Sequence, residues 1–473
     1  MKRLITLLAG LLVLPFAAHS AAPHPNVLFI VVDDLNLSLG CYGNRDVKSP
    51  NIDRLAARGV RFDRAYAQYP LCNPSRVSFL SGRRPETSGV YVLTIPARKA
   101  LPEAIMLPQF FRQQGYFSAG AGKVYHNARG SDAASWDQYQ DGDGEDEQEK
   151  AAIQSRYGGG DGRPRWHVLD SDGSKMRDGL NATTILNQLR EKSSAGKSWF
   201  LAAGFHKPHL PWTAPKRFFD LYPETGITPP AEPALQGVPP IAVQTELSGF
   251  AQPDSRAGAI RGYYACISYT DSQIGRLLDE LDRRELWRST LVVLVGDNGF
   301  HLGDHGGLWA KLSAYDAATR VPLLIAGAGV PAGRVVTSPV QLLDIYPTLT
   351  DLAGFPAPAG LEGRSLTALM HGRGEAKPAY SLVYHYDVAA KRDVVGRTVI
   401  DERWRYTEWD QGAAGREFYR RSDDPAEYIN RVEDAAVLAD RRTAAALLQQ
   451  FPQPKPGAAN RPRALDPTAK AAN

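Results

Sequence analysis

The sequence predicts an α/β fold built on a large, mostly parallel sheet, and three observations carry that expectation. First, apolar runs occur at residues 26–32 (NVLFIVV), 199–205 (WFLAAGF), 290–295 (TLVVLV) and 321–325 (VPLLI). Their continuous apolarity, without the alternation of a half-solvated strand, marks strands buried on both faces. Second, helical patterns fall at 51–58, 77–81, 107–114, 182–192, 262–286 and 339–352. Third, strands and helices alternate along the chain, which is the order that builds a largely parallel sheet.

Taken in order, the chain opens with Lys2-Arg3, an apolar run from Leu4 to Ala18 and the small residues Ser20-Ala21-Ala22. A basic start, a short apolar core and small residues describe a secretory leader over residues 1–22, cleaved after Ser20 or Ala22. The run is too short to span a bilayer, and no later segment approaches the required length. A periplasmic or secreted protein is expected, with no membrane attachment after cleavage. Residues 23–375 form the main domain, within which the acidic stretch 137–150 reads as a solvated loop. From about Tyr380 the pattern changes to short alternating stretches such as 393–408, followed by a helix near 435–450. A smaller C-terminal subdomain with an antiparallel sheet is expected over 376–451. Residues 452–473 are rich in Pro, Ala and Lys and read as disordered.

Composition narrows the function. An apolar content of 43% supplies a core, and 55 basic residues against 51 acidic ones leave the chain near neutrality. Nucleic acid is therefore excluded as a partner, because phosphate binding needs a concentrated basic face. Three cysteines do not make a disulfide scaffold. Cys41, in a turn, and Cys266, within the helical pattern 262–286, read as two free thiols in preference to a disulfide between them.

In open α/β sheets, chemistry collects beyond the carboxyl ends of the strands. The run 26–32 leads directly into Asp33-Asp34, and the run 290–295 into Gly296-Asp297-Asn298. Adjacent carboxylates repel unless a cation lies between them. Three carboxylates and an amide oxygen are a hard-oxygen set suited to Ca²⁺ or Mg²⁺. Three cationic segments occupy comparable places: Lys123 and His126 in GKVYH, Lys207 and His209 in HKPH, and Lys311 in WAK. Jointly they describe an anion pocket beside a metal. In Cys72-Asn73-Pro74-Ser75-Arg76, Pro74 suits a first helical turn, so Cys72 opens a helix with Arg76 near the same face. Helix N-termini favour anions.

The C-x-P-S-R pentapeptide resembles the maturation signature of type I sulfatases. The segments PNVLFIVVDDLN, SPNIDRLAARG, CNPSRVSFLSGRRPET, GKVYH, HKPHLPW and ATRVPLL look like the iduronate-2-sulfatase branch, and the likeness runs from Pro25 to about Arg431. The resemblance implies an alkaline-phosphatase-like sulfatase fold. It also implies that maturation machinery, reading Pro74 and Arg76, oxidises Cys72 to formylglycine. One hydroxyl of the hydrated aldehyde then attacks a sulfate ester to give a covalent sulfo-enzyme, and the other expels the sulfate. The implied metal is Ca²⁺, ahead of Mg²⁺, held by Asp33, Asp34, Asp297, Asn298 and an oxygen of residue 72. Arg76 would hold the hydrate, and Lys123 a sulfate oxygen. His126 would take the proton of the second hydroxyl. His209 and Lys311 would serve the bridging oxygen and protonate the departing alcohol. Lys207 would meet a substrate carboxylate, and His305 would shape the pocket.

Two departures from the branch stand out. Asn298 replaces a histidine frequent there, and Gly306-Gly307 adds one residue before the Trp-x-Lys element. The expected activity is sulfuric ester hydrolysis on a sulfated carbohydrate, with a 2-O-sulfated uronic acid foremost and a role in glycosaminoglycan degradation. The alternatives are a phosphate or phosphonate monoester hydrolase on the same fold, and a non-catalytic carbohydrate-binding protein that keeps the Cys72 thiol.

Overall fold

A computed structural model of the chain describes residues 24–126, 132–140, 144–158, 166–227, 229, 233–244 and 253–455. The expected leader and the expected disordered tail from residue 456 onward lie outside the described residues. The strands of the main sheet are β1 (Asn26–Val32), β2 (Gly59–Tyr66), β3 (Phe117–Gly122), β4 (Gln138–Gln140), β5 (Trp199–Phe205), β6 (Thr290–Gly296), β7 (Arg320–Gly327) and β8 (Arg334–Val336). Their spatial order is β8-β2-β7-β6-β1-β5-β3-β4, and the two-residue strand Val340–Gln341 adds to β2 at one edge. Each pairing is parallel except those of β7, which runs antiparallel to both of its neighbours. The expectation of a large, mostly parallel sheet holds.

β1 lies inside the sheet, and its alternating residues feed two separate layers. Leu28, Ile30 and Val32 point into one apolar cluster, with Ile185 and Leu189 of helix α2 (Arg177–Ser194) and Ile274 and Leu277 of helix α3 (Pro253–Arg283). Val27, Phe29 and Val31 point into the other, with Val77 and Phe79 of helix α1 (Cys72–Ser81) and Leu349 of helix α4 (Ile345–Leu352). The strand reads as uniformly apolar because both faces are covered. Toward the C-terminus, β9 (Ala379–Asp387), β10 (Arg392–Ile400), β11 (Trp404–Trp409) and β12 (Gly415–Arg420) form a four-stranded antiparallel sheet. Helix α5 (Leu438–Leu448) covers it, with Ala444 and Leu448 in the same cluster as Val394, Trp404 and Phe418. Among the described residues, no helix is long and apolar enough to cross a membrane.

Three expectations need correction. The stretch 137–150 is not a loop throughout: it contains β4 and the start of a helix, Glu147–Gly158. Its acids act locally, since Asp146 accepts from the backbone N–H groups of Gln148 and Glu149 at 3.0 Å, and Glu149 accepts from that of Arg177 at 2.7 Å. Polarity there satisfies helix N-termini rather than advertising solvent. The helix expected over 339–352 begins only at Ile345, because Val340 and Gln341 pair with Ala65 and Tyr66 of β2. Helix α3 starts well before the expected residue 262. Gly258 and Gly262, which look like breakers, give room to Trp166, whose ring and Cβ would lie 2.3 Å and 2.7 Å from added Cβ atoms.

The ends of β3 and β5 meet even more closely. Gly204 pairs with Gly122, and a Cβ on Gly204 would lie 2.2 Å from the carbonyl carbon of Lys123. Backbone cannot yield as a flexible side chain can. Gly204→Ala is therefore expected to destabilise the protein by about 1–3 kcal/mol, read from urea denaturation, as overpacking forces these strand ends apart.

Candidate active site

Register brings the two acidic segments together. Val32 pairs with Gly296, so the residues that follow β1 and β6 emerge side by side. The Asp297 N–H donates to the Val32 carbonyl at 3.2 Å, and the Asp34 N–H donates to Asp297 Oδ1 at 3.0 Å. Asp34 takes a left-handed backbone, φ 58°. Tyr263 of α3 fixes that turn, donating to the Asp34 carbonyl at 2.7 Å and accepting from the Asn36 N–H at 2.9 Å. One carboxylate oxygen from each of Asp33, Asp34 and Asp297 lies within 4.8 Å of the others, and all three residues are buried.

Cys72 opens α1, with Leu71 as its cap, and the whole helix from Cys72 to Ser81 is buried. Pro74 falls in the first turn, as expected, and Gly82 ends the helix at φ 65°. The Cys72 sulfur stands 3.8 Å from Asp34 Oδ1 and 2.9 Å from the Lys311 amino group. Arg76, one turn further on, donates from Nε to Asp297 Oδ2 at 2.7 Å and from Nη1 to the Lys123 and Val124 carbonyls, with Nη2 3.4 Å from Asp33 Oδ1. One guanidinium thus ties α1 to both acidic segments and to the end of β3.

Lys123 binds Asp33 Oδ2, and Lys311 binds Asp34 Oδ1. His209 Nε2 lies 3.8 Å from Asp34 Oδ2, while its Nδ1 donates to the Leu210 carbonyl at 2.7 Å. His126 is half-buried, and its Nδ1 is enclosed with no hydrogen-bond partner. Lys207 is buried elsewhere: its amino group donates to the Pro211 carbonyl at 2.6 Å rather than joining this cluster. His305 packs between the rings of Tyr315 and Tyr428, with centroids 4.1 Å and 4.8 Å away.

The charges explain one another. Burial pushes the Asp33 carboxyl up, but Lys123, His209, Arg76 and Lys311 override it and hold the group well below the carboxylate range. Burial pushes Asp297 up to about 6 even against Arg76, because Asp33 and Asp34 add like charge. Burial and Asp33 lift the Cys72 thiol well above its usual value. The unmodified side chain is therefore a neutral thiol and a poor nucleophile. Burial pulls Lys123 and Lys311 down, and Asp33 and Asp34 respectively more than restore them. Burial and Lys123 lower His126 to about 3, so its ring is neutral and able to accept a proton.

Asp33 Oδ1 and Asn298 Oδ1 are buried acceptors without a hydrogen-bond partner. The Asn298 amide is oriented by donating to Asp34 Oδ1 at 2.8 Å and to the Gly299 carbonyl at 2.9 Å. Three carboxylates and the Asn298 amide oxygen fit a hard divalent cation.

Sequence reasoning missed some supporting residues. Asp178 of α2 accepts from the His206 and Lys207 N–H groups, each at 2.8 Å, and so holds the segment that presents His209. Asp304 Oδ1 accepts from the Nδ1 atoms of both His301 and His305, and His301 Nε2 meets Ser313 Oγ at 2.6 Å. This has the order of a Ser-His-Asp relay, but Ser313 is fully buried and serves no nucleophilic role. The spacing in HLGDH was the available signal. Lys311 itself sits between two non-glycine residues with left-handed backbone, Ala310 at φ 73° and Leu312 at φ 60°.

Comparison with known proteins adds the family. A family model described as Sulfatase matches residues 25–355, and one described as N-sulphoglucosamine sulphohydrolase, C-terminal, matches residues 303–451. The chain is 34% identical over 438 residues to a protein named Sulfatase from Formosa agariphila, covering 86% of this chain and 82% of that one. It is also 34% identical over 396 residues to iduronate 2-sulfatase of Homo sapiens, covering 72% of this chain and 71% of that one. The solved structure of a phosphonate monoester hydrolase of Agrobacterium radiobacter shares the fold, with a TM-score of 0.73 and 23% identity over 90% of this chain and 95% of that one.

Metal removal tests the carboxylate cluster. Saturating Ca²⁺ or Mg²⁺ is expected to raise the unfolding free energy by about 2.7 kcal/mol at a hundredfold excess over Kd, and EDTA to reverse the gain. The check is the melting temperature with and without chelator, and Asp297→Ala should abolish the difference.

Proposed function

Since the chain belongs to the sulfatase family and is a sulfuric ester hydrolase, we propose that it removes sulfate from a sulfated carbohydrate, foremost a 2-O-sulfated uronic acid. The observation that carries this reading is the buried Cys72-Asn73-Pro74-Ser75-Arg76 turn, aimed at three carboxylates and gripped by Lys311. The uronic acid rests on the 34% identity to human iduronate 2-sulfatase. The leader pattern at residues 1–22 supports a periplasmic or secreted location.

Asp33, Asp34, Asp297 and Asn298, with residue 72, would hold the ion. Calcium fits this set best, since most of its oxygens are fixed by the fold rather than left to water. The ion supplies charge neutralisation and polarises the sulfate. Cys72, matured to formylglycine by dedicated machinery, supplies as its hydrate a hydroxyl to attack sulfur and a second hydroxyl to release the covalently held sulfate.

The remaining roles fall to side chains of this chain. With the carboxylates neutralised, Lys123 Nζ and Lys311 Nζ turn to sulfate oxygens, where fixed positive charge in a dry site is most effective. Arg76 keeps residue 72 in place through Asp297 and the Lys123 carbonyl. His126, neutral and with Nδ1 unpartnered, takes the proton of the second hydroxyl. His209, whose Nδ1 is committed to the Leu210 carbonyl, presents Nε2 to the departing alcohol together with Lys311. Lys207 reaches a substrate carboxylate only if its bond to the Pro211 carbonyl breaks.

Four measurements decide this reading. Cys72→Ala is expected to lower kcat/KM for an aryl sulfate by about ten-thousandfold or more while leaving the melting temperature within a few degrees. The mass of the wild-type peptide spanning Cys72 should show the aldehyde. A preference for aryl phosphate or phosphonate by orders of magnitude would instead favour the phosphonate hydrolase reading, and an unmodified thiol throughout would favour a carbohydrate-binding protein. A panel of defined sulfated disaccharides should show fastest release from 2-O-sulfated uronic acid. Preference for N- or 6-O-sulfate would remove that substrate.

A further inference from the structure

Lys311 bridges Cys72 and Asp34, yet the two residues flanking it hold backbone conformations that side-chain-bearing residues rarely adopt. Such a segment keeps its geometry only when its surroundings over-determine it. One side of that restraint is the pairing of Ala310 with His301. The other comes from β9 of the C-terminal sheet, where the buried His385 places Nε2 2.6 Å from the Leu312 carbonyl and Nδ1 2.6 Å from the Ile241 carbonyl.

Carbonyl oxygens accept and never donate. A neutral imidazole carries one N–H, so only the doubly protonated ring makes both contacts at once. We propose that His385 is a positioning residue for Lys311: its imidazolium clamps the Leu312 carbonyl to the Ile241 segment and so sets where the Lys311 ammonium stands. The inference rests on the role given to Lys311 above. The clamp is charge-assisted on both sides, and the indole of Trp409, with its ring centroid 4.7 Å away, offers a face to the cation. Besides burial, the groups acting on the ring are the Ile241 and Leu312 carbonyls, and Trp409 itself is held by Glu417, which accepts from its Nε1 at 2.6 Å. Burial holds the ring's pKa below its ordinary value, and the two carbonyls oppose this only in part. The clamp is thus closed on the acid side and opens, one bond at a time, as pH rises and the second proton leaves.

The test uses the full-length protein with ¹⁵N-labelled histidine. On acidification below the ordinary imidazole range, His385 is expected to gain its second ring proton, and wild-type kcat should fall as pH rises through that same transition. His385→Gln offers one amide where two N–H groups stood. It should lower kcat about tenfold or more, leave KM within about threefold and lose that limb of the pH profile. His385→Asn, too short for either carbonyl, should do the same. A ring that stays singly protonated throughout, or a His385→Gln enzyme with wild-type kcat and pH profile, overturns the proposal. If the wild type hydrolysed no sulfate ester, the fault would lie with the functional reading, and the ¹⁵N titration would still decide the clamp.

Discussion

Three carboxylates packed together out of water repel one another, and the site depends on how that repulsion is met. Asp33 and Asp34 follow one central strand and Asp297 its neighbour, so parallel register alone forces them together. The compensating cations come from three other places: Arg76 from α1, Lys123 from beyond β3 and Lys311 from a hairpin after β6. Each is buried, and removing any one leaves a charge without its partner, typically a loss of about 3–5 kcal/mol. The side chains that stabilise the cluster are also those to which the proposed sulfate chemistry is assigned. The lysines that pair with the carboxylates are those an arriving sulfate would recruit.

Much of this was legible in the sequence because the relevant signals are local. The runs at 26–32 and 199–205 became strands with those bounds, since uninterrupted apolarity at strand length has few other readings. The residues directly beyond them then fell where a parallel sheet collects its chemistry. Strand β2 was not legible. Its GVRFDRAY carries Arg61, Asp63 and Arg64 near the sheet edge, where Arg61 pairs with Asp63 at 2.9 Å. Lys207 shows another limit: its sequence neighbourhood matches the site, but its rotamer carries the amino group to the Pro211 carbonyl. His385 offered no signal at all, because what matters is two carbonyls far away in sequence.

The C-terminal sheet is more than an appendage. The Leu382 N–H donates to the Gln68 carbonyl at 3.0 Å, and the Tyr384 N–H to the Tyr69 hydroxyl at 3.1 Å, just ahead of the Cys72 helix. Arg405 of β11 is buried against Asp316 and Glu427, with Nε 2.7 Å from Glu427 Oε1, and Arg421 adds a second bond to Asp316. An ion network of this kind tolerates no loosening, since each member would be left uncompensated. The segment leading into the Cys72 helix and the segment after Lys311 are thereby tied to the C-terminal sheet.

The unusual torsions at Ala310 and Leu312 set two selective pressures against each other. Glycine at either position would relax roughly 1 kcal/mol of torsional cost, the kind of gain that drift toward heat hardiness readily accepts. It would also loosen the backbone that carries the Lys311 ammonium to Asp34 and Cys72. Lineages of this enzyme adapted to warm habitats should therefore reinforce other parts of the scaffold and leave that hairpin under tension.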